Sequence, residues 1–384
     1  MKLTTIETYI IDLPKRRAHN WASKMSTPIG SHLFVKLTDD DGRVGWGESP
    51  AIPTWGGAHM RYYGETPETA RLLIQDHLWP AVEGLSPLEP VVIHQAMDGV
   101  LKGNPYAKAA LDIACFDLAG HALGVPVSTL LGGRVRDRIA ICHSLGIMED
   151  EPALEEAEAA VSEGITTIKV KTGVDAERDV RLVRKVRERV GDAVLLRVDA
   201  NEGYRTVSEA VQVTRRQVDE AGIFLCEQPM AGARALAEVA KRIDVPVMAD
   251  ESAWTTQDII ELAALGAATT FSLYVTKPGG LHRAREQATV AATLGLICDI
   301  GGSIEMGVGN AANLHLGAAT PIATLPSVCP VSTPAPFEHG VAGNYYTDDL
   351  ITEPLRFEDG YLLVPDGPGL GVEVDQEKIE AYAR

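Results

Sequence analysis

The chain is short of several things, and each shortage removes a class of protein. It has five cysteines in 384 residues. Cys115, Cys142, Cys226, Cys298 and Cys329 are odd in number and lie in or beside apolar runs. They read as buried free thiols in a reducing compartment, not as a disulfide framework. No pair has zinc-finger spacing. Positive charge is scarce: 35 Lys and Arg face 53 Asp and Glu, for a net charge of −18. That argues against nucleic acid or an anionic membrane as partner. No uninterrupted apolar run approaches the ~18 residues that a membrane span needs. The start, Met1-Lys2-Leu3-Thr4, carries no charged-then-apolar leader. A cytoplasmic protein is expected. There is no low-complexity tract.

What remains is a globular composition, 45% hydrophobic, in a chain too long for one simple core. Residues 3 to 12, His32 to Leu37 and Val44 to Glu48 alternate or run as strands of an antiparallel meander. Two polar segments rich in Gly and Pro, about 15–30 and 49–63, look like mobile lids. They carry His19, Trp21 and Lys24, and Trp55, Gly56 and Gly57. Helical periodicity follows at Thr66 to Leu78, Leu88 to Leu101 and Tyr106 to Leu123. In the last, Ala109, Ile113 and Phe116 share a face, and Gly120 extends it where close packing is needed. Residues 1–130 therefore form an α+β domain, strands first and helices after.

From Ile139 onward strands and helices alternate. The informative stretch is Ile168 to Glu251. It holds Lys169-Val170-Lys171, Asp199-Ala200-Asn201, Glu227-Gln228-Pro229 and Asp250-Glu251, each at the end of an apolar or β-branched run. Lys171, Asp199 and Glu227 are spaced 28 apart, and Asp250 follows Glu227 by 23. One strand, one helix and two loops fill about that length. The charges thus recur at the C-terminal tips of consecutive parallel strands, the mouth of a (β/α) barrel, where active sites sit. Three carboxylates at one place need a cation. Oxygen-only ligands suit a hard ion. Seven strand–helix units can be counted, with one more strand after Pro321 where the signal is weak. The barrel spans 131–350. The tail, 351–384, is expected to return to the first domain.

With these residues in view, the chain resembles the enolase superfamily, muconate-lactonizing (mandelate racemase/muconate cycloisomerase) subgroup. The resemblance covers nearly the whole chain. It runs through Gly45-Trp46-Gly47-Glu48, Tyr106 to Asp112, the four clusters above, Lys277-Pro278-Gly279-Gly280, Ser303-Ile304-Glu305 and Pro368-Gly369-Leu370-Gly371. Each motif alone is weak; their common order at barrel spacing is strong. The resemblance implies a (β/α)7β barrel under an α+β capping domain. It implies Mg²⁺ held by Asp199, Glu227 and Asp250, with Mn²⁺ the other candidate, and a substrate carboxylate whose α-proton is removed. Glu251 is then in the shell behind the ligands. Lys171 is the expected base and Lys169 its electrostatic neighbour. Two adjacent lysines raise each other's cost of protonation, and a metal adds to it. Glu305 is a candidate active-site acid, with a plain alternative as a helix-start acid. Asn201, Trp21, Trp55 and Asp299 are candidate substrate contacts. A homo-oligomer is expected.

One departure narrows the chemistry. The subgroup carries a second lysine at the tip of the sixth strand, and here that place reads Tyr274. Lys277 is three positions later and out of phase. Phenol is a poor base near pH 7, so a reaction needing a base on each face is disfavoured. A cycloisomerase acting on a small carboxylate needs one base. So does a hydroxy-acid or hydroxyproline-type dehydratase. An amino-acid racemase or epimerase needs two. A non-catalytic binding barrel is the reading from a different class, and the retained lysine pair and carboxylates speak against it.

Overall fold

The structure is a computed structural model describing residues 1–22, 29–55, 64–302 and 304–384. Parts of both expected lids (23–28 and 56–63, with Lys24, Gly56 and Gly57), and Ser303, lie outside the described residues.

Strands Leu3–Asp12, Ser31–Asp39 and Val44–Ser49 form the antiparallel meander. Alternation along Val44–Ser49 sorts its faces. Gly45 and Gly47 lie on the helix Pro105–Leu123, where a Cβ on Gly47 would run into the Ala110 carbonyl and sit 2.8 Å from the Ala114 nitrogen. The obstruction is backbone, so no side-chain rotation relieves it. Gly47→Ala is therefore expected to lower stability by about 3 kcal/mol, read as a lower urea midpoint at unchanged slope.

Glu48, on the opposite face, reaches the barrel. Its Oε1 accepts from the Met306 amide at 2.7 Å and its Oε2 from the Gly309 amide at 2.7 Å, serving the first turn of helix Gly307–Ala319. The Pro105–Leu123 helix, on which Ala109, Ile113 and Phe116 share a face, is buried on its other faces too from Pro105 to Gly120, because it lies between meander, barrel and tail. Asp112 accepts from the Leu281 amide of a barrel helix at 2.5 Å, and Asp117 from the Trp46 and Leu370 amides at 2.8 and 2.7 Å. Gly120 does provide a close approach: a Cβ there would lie 2.5 Å from Cα of Gly369 in the tail.

Seven parallel strands follow in chain order: Cys142–Leu145, Thr167–Lys171, Leu195–Asp199, Leu225–Glu227, Val247–Ala249, Thr270–Leu273 and Ile297–Ile300. Residues 322–328 close the ring. The Cys298 and Val328 amides bond across the seventh seam, to the Ile322 and Ile300 carbonyls at 2.9 and 3.1 Å. The Ser327 and Cys142 amides bond across the first, to the Ala140 and Ser327 carbonyls at 2.8 Å each. Both seams are parallel bridges. The eighth strand is weak in sequence because Pro321, Pro326 and Pro330 remove ladder donors. The fold is a (β/α)7β barrel with an α+β cap.

The expected strand from Ile139 to Leu145 divides. Arg138–Ala140 pairs with the tail strand Tyr361–Leu363, and Cys142–Leu145 enters the barrel. The tail continues to the cap, where the Val127 amide bonds the Gly369 carbonyl at 2.8 Å and the Arg384 amide bonds the Ile10 carbonyl at 3.0 Å. All five cysteines are buried and free. Among the described residues no helix is long and apolar enough to cross a membrane.

Candidate active site

Adjacent strands bring Lys171, Asp199 and Glu227 into direct register. Asp250 stands just beyond Val247–Ala249. Carboxylate oxygens of Asp199, Glu227 and Asp250 lie within 4.8 Å of one another, all buried. Lys169 Nζ bridges Asp199 Oδ2 at 3.0 Å and Glu227 Oε1 at 2.9 Å. Lys171 Nζ donates to Asp199 Oδ2 at 2.6 Å and to Asn201 Oδ1 at 2.9 Å. Asn201 turns back in a left-handed conformation, φ 42°, and its Nδ2 donates to Glu251 Oε1 at 2.8 Å. Asn201 thus fixes both the lysine and the shell carboxylate.

Burial pushes the Glu227 carboxyl up to about 7, helped by the charge of Asp199. Its Oε2 has no hydrogen bond among the described residues. Burial also acts to raise Asp199, but the ammonium groups of Lys169 and Lys171 hold it below the usual carboxylate range. Crowded carboxylates with an orphaned oxygen, and no sulfur or imidazole among them, fit a hard divalent cation. Lys169 differs from expectation. Burial would lower it, but Asp199 and Glu227 outweigh burial and hold it above its ordinary value.

The cavity at this mouth is ≈ 40 Å³, room for about three waters. Lys169, Lys171, Asn201 and Asp250 line it, with Trp21 and Trp55 from the cap and Tyr274 opposite the lysines. Tyr274 OH is 3.5 Å from Asp250 Oδ2, and burial pushes the phenol well above its ordinary value. The ring lies over Gly301, where any Cβ would strike it. Trp55 packs at 5.1 Å from Tyr274 and 5.2 Å from Trp254, and its Nε1 donates to Glu251 Oε1 at 3.3 Å.

Two candidates lie elsewhere. Asp299 is not on the cavity wall. It is inside the barrel, 2.8 Å from Arg197 Nη1 and 2.8 Å from Ser272 Oγ, because its strand position points inward, below the mouth. Glu305 is also off the wall. Ile304 adopts φ 67° and takes the wall position. At the helix start, Glu48 and Asp349 accept from the Met306 and Gly307 amides.

Lys277 was passed over as a loop residue. It is fully buried, with Nζ 2.7 Å from Asp250 Oδ1, 2.9 Å from the Asp250 carbonyl and 4.2 Å above the Tyr274 ring. Its offset of three hid it, since side-chain alternation stops where the strand ends at Leu273. Arg197 was also missed. Its signal is its spacing: two before Asp199, it points inward one layer down. A larger cavity, ≈ 320 Å³, lies beyond Glu251 and Lys277 between cap and barrel. It is lined by neither Lys169 nor Lys171, which both line the smaller one, so the chemistry belongs to the smaller one.

Comparison with known proteins agrees with the fold. Residues 153–378 match the family described as enolase C-terminal domain-like, and residues 5–132 match the mandelate racemase/muconate lactonizing enzyme N-terminal domain. The chain belongs to the enolase superfamily, in its muconate-lactonizing subgroup. It is 33% identical to muconate cycloisomerase 1 of Rhodococcus opacus, over 100% of this chain and 99% of that one. It is 30% identical to an N-succinyl-L-Arg/Lys racemase of Bacillus cereus, over 99% and 97%. The solved 2-chloromuconate cycloisomerase of Rhodococcus opacus superposes with a TM-score of 0.90 at 33% identity, covering 100% of both chains. The protein is an enzyme, an isomerase or lyase of this superfamily.

Proposed function

We propose that this enzyme moves the proton α to a substrate carboxylate through an enolate, in a Mg²⁺-dependent reaction of the muconate-cycloisomerase type on a small carboxylic acid. The observation that carries the reading is the asymmetry of the site: a lysine pair on one wall and Tyr274 on the other. A divalent ion held by Asp199, Glu227 and Asp250 would supply charge to stabilise the enolate and would release the lysines from pairing those carboxylates. Lys171 is the proton donor and acceptor. In the lactonising direction an oxygen of one substrate carboxylate bonds to the carbon β to the other carboxylate, breaking that carbon's π bond to the α-carbon. The π electrons shift toward the other carboxylate, and Lys171 Nζ delivers its proton to that enolate's α-carbon. Lys169, beside Lys171 on the cavity wall, faces the substrate carboxylate. Tyr274 offers a hydrogen bond and removes no proton.

Tyr274 also favours a second reading, dehydration of a β-hydroxy acid of the hydroxyproline type, because syn elimination likewise needs one base. Racemisation, the activity in the name of the Bacillus cereus relative, needs a competent group on each face, and Tyr274 argues against it here.

The test is reaction in D₂O with Mg²⁺, with cis,cis-muconate and a set of β-hydroxy acids including 3-hydroxyproline. The expected product from muconate carries one deuterium at the α-carbon, on one face, by NMR. Returned to the enzyme, it exchanges that position and keeps its configuration. Scrambled configuration at the α-carbon would sink the one-base reading. Water loss from a hydroxy acid, with muconate untouched, would select the second.

A further inference from the structure

The capping loop places one side chain in the cavity whose protonation pattern is fixed by geometry. His19 is 4% exposed and lines the cavity with Lys171. Its Nδ1 is 3.1 Å from Arg17 Nη1. A guanidinium can only donate, so Nδ1 accepts and the single ring proton of a neutral imidazole sits on Nε2. Burial, with the cations of Arg17 and Lys171 nearby, holds His19 well below its ordinary range, in agreement with the neutral form. The Nδ1 edge is turned to Arg17 and to Gly146, where an added Cβ would stand 3.1 Å from it. The opposite edge, with its N–H, makes no hydrogen bond among the described residues, and the ring stands edge-on to Tyr345 with centroids 4.8 Å apart.

The arrangement is braced. Arg17 Nε donates to Glu156 Oε2 at 2.6 Å on the first barrel helix, and His143 Nε2 meets Glu156 Oε1 at 2.8 Å. The Ile147 amide bonds the Asn20 carbonyl at 2.8 Å, which docks the loop onto the end of the first barrel strand. On that strand Ser144 is the direct neighbour of Lys169. Its Oγ is buried, lines the same cavity and has no hydrogen-bond partner among the described residues.

We infer that His19 Nε2–H and Ser144 Oγ form a subsite for a second oxygen function of the substrate, a carbonyl or carboxylate oxygen remote from the carboxylate at the metal. His19 acts there as a fixed donor and specificity-determining residue, and it transfers no proton. This deepens the proposed function and rests on its placement of one substrate carboxylate at Asp199, Glu227 and Asp250.

Unreactive acids test it. The full-length Mg²⁺-loaded protein is titrated calorimetrically with adipate, monomethyl adipate and hexanoate, which share a six-carbon acid frame and differ in the far oxygen. Wild type is expected to bind adipate and the monoester about tenfold tighter than hexanoate, the worth of about one good hydrogen bond. A gap between adipate and the monoester identifies a charged oxygen as the preferred occupant, and equality a neutral carbonyl. His19→Phe keeps a planar ring and should erase the preference while leaving hexanoate binding unchanged. His19→Asn restores a donor and should recover part of it. Ser144→Ala should reduce it about threefold. Equal binding of all three acids by wild type would overturn the subsite alone. So would an equal loss for all three in His19→Phe, which is what a packing role predicts. Binding of none of the acids by protein that does bind Mg²⁺ would overturn the metal-side carboxylate and this subsite with it.

Discussion

Lys171→Ala is expected to lower α-proton exchange by about 10³-fold, within the range a positioned acid–base group contributes, while Mg²⁺ binding stays within a few-fold of wild type. The contrast with Lys169 explains why Lys171 is chosen. Lys169 lies between two carboxylates, at 3.0 and 2.9 Å, and is held protonated by them. Lys171 touches one, Asp199 Oδ2, and its second partner is the neutral Asn201 amide oxygen. Asn201 is itself pinned by Glu251 and by its amide bond to Asp199 Oδ1 at 3.0 Å, so the lysine enters the reaction already oriented. Exchange is read by NMR in D₂O and metal binding by calorimetry. Exchange within tenfold of wild type would move the base elsewhere. Lost exchange with lost metal binding would mean that the lysine is structural.

How much of this was legible depended on what repeats. A strand–helix unit has a nearly constant length, so the spacing of Lys171, Asp199, Glu227 and Asp250 carries their common location. The eighth strand has no such cue, because prolines at 321, 326 and 330 leave only bridges. Asp299 shows a subtler limit. Alternation puts a residue inside the barrel but does not say in which layer. Asp299 pairs across strands with Ser272 and meets Arg197, one layer beneath the mouth. Lys277 and Glu305 show the opposite limit. Both lie past strand ends, where the chain leaves the two-residue period. Lys277 folds back onto Asp250, and the left-handed turn at Ile304 carries Glu305 away. The shared face of Ala109, Ile113 and Phe116 does not tell that the helix is buried on its other faces too, because its second and third neighbours, the barrel and the tail, are far away in sequence.

Arg197→Met is expected to lower folding stability by about 3–5 kcal/mol, the range for removing one partner of a buried ion pair. Arg197 is 0% exposed. It is 2.8 Å from Asp299 Oδ2 and 3.9 Å from Glu227 Oε2, the oxygen otherwise without a partner. Methionine restores most of the lost volume, so the loss reports charge more than a cavity. Without the guanidinium, the one side-chain hydrogen bond left to Asp299 among the described residues is from the Ser272 hydroxyl at 2.8 Å, too little to hold a carboxylate in a dry barrel interior. The second change should therefore rescue the first. Arg197→Met with Asp299→Leu removes both charges and should recover about half of the loss, since a buried ion pair replaced by apolar groups is often near neutral. Glu227 keeps the recovery incomplete, because its charge remains without the cation beneath it. Urea unfolding of the wild type, both single variants and the double variant gives the coupling directly. Additive losses would mean that the two residues act independently and that the 2.8 Å contact does not govern this layer of the barrel.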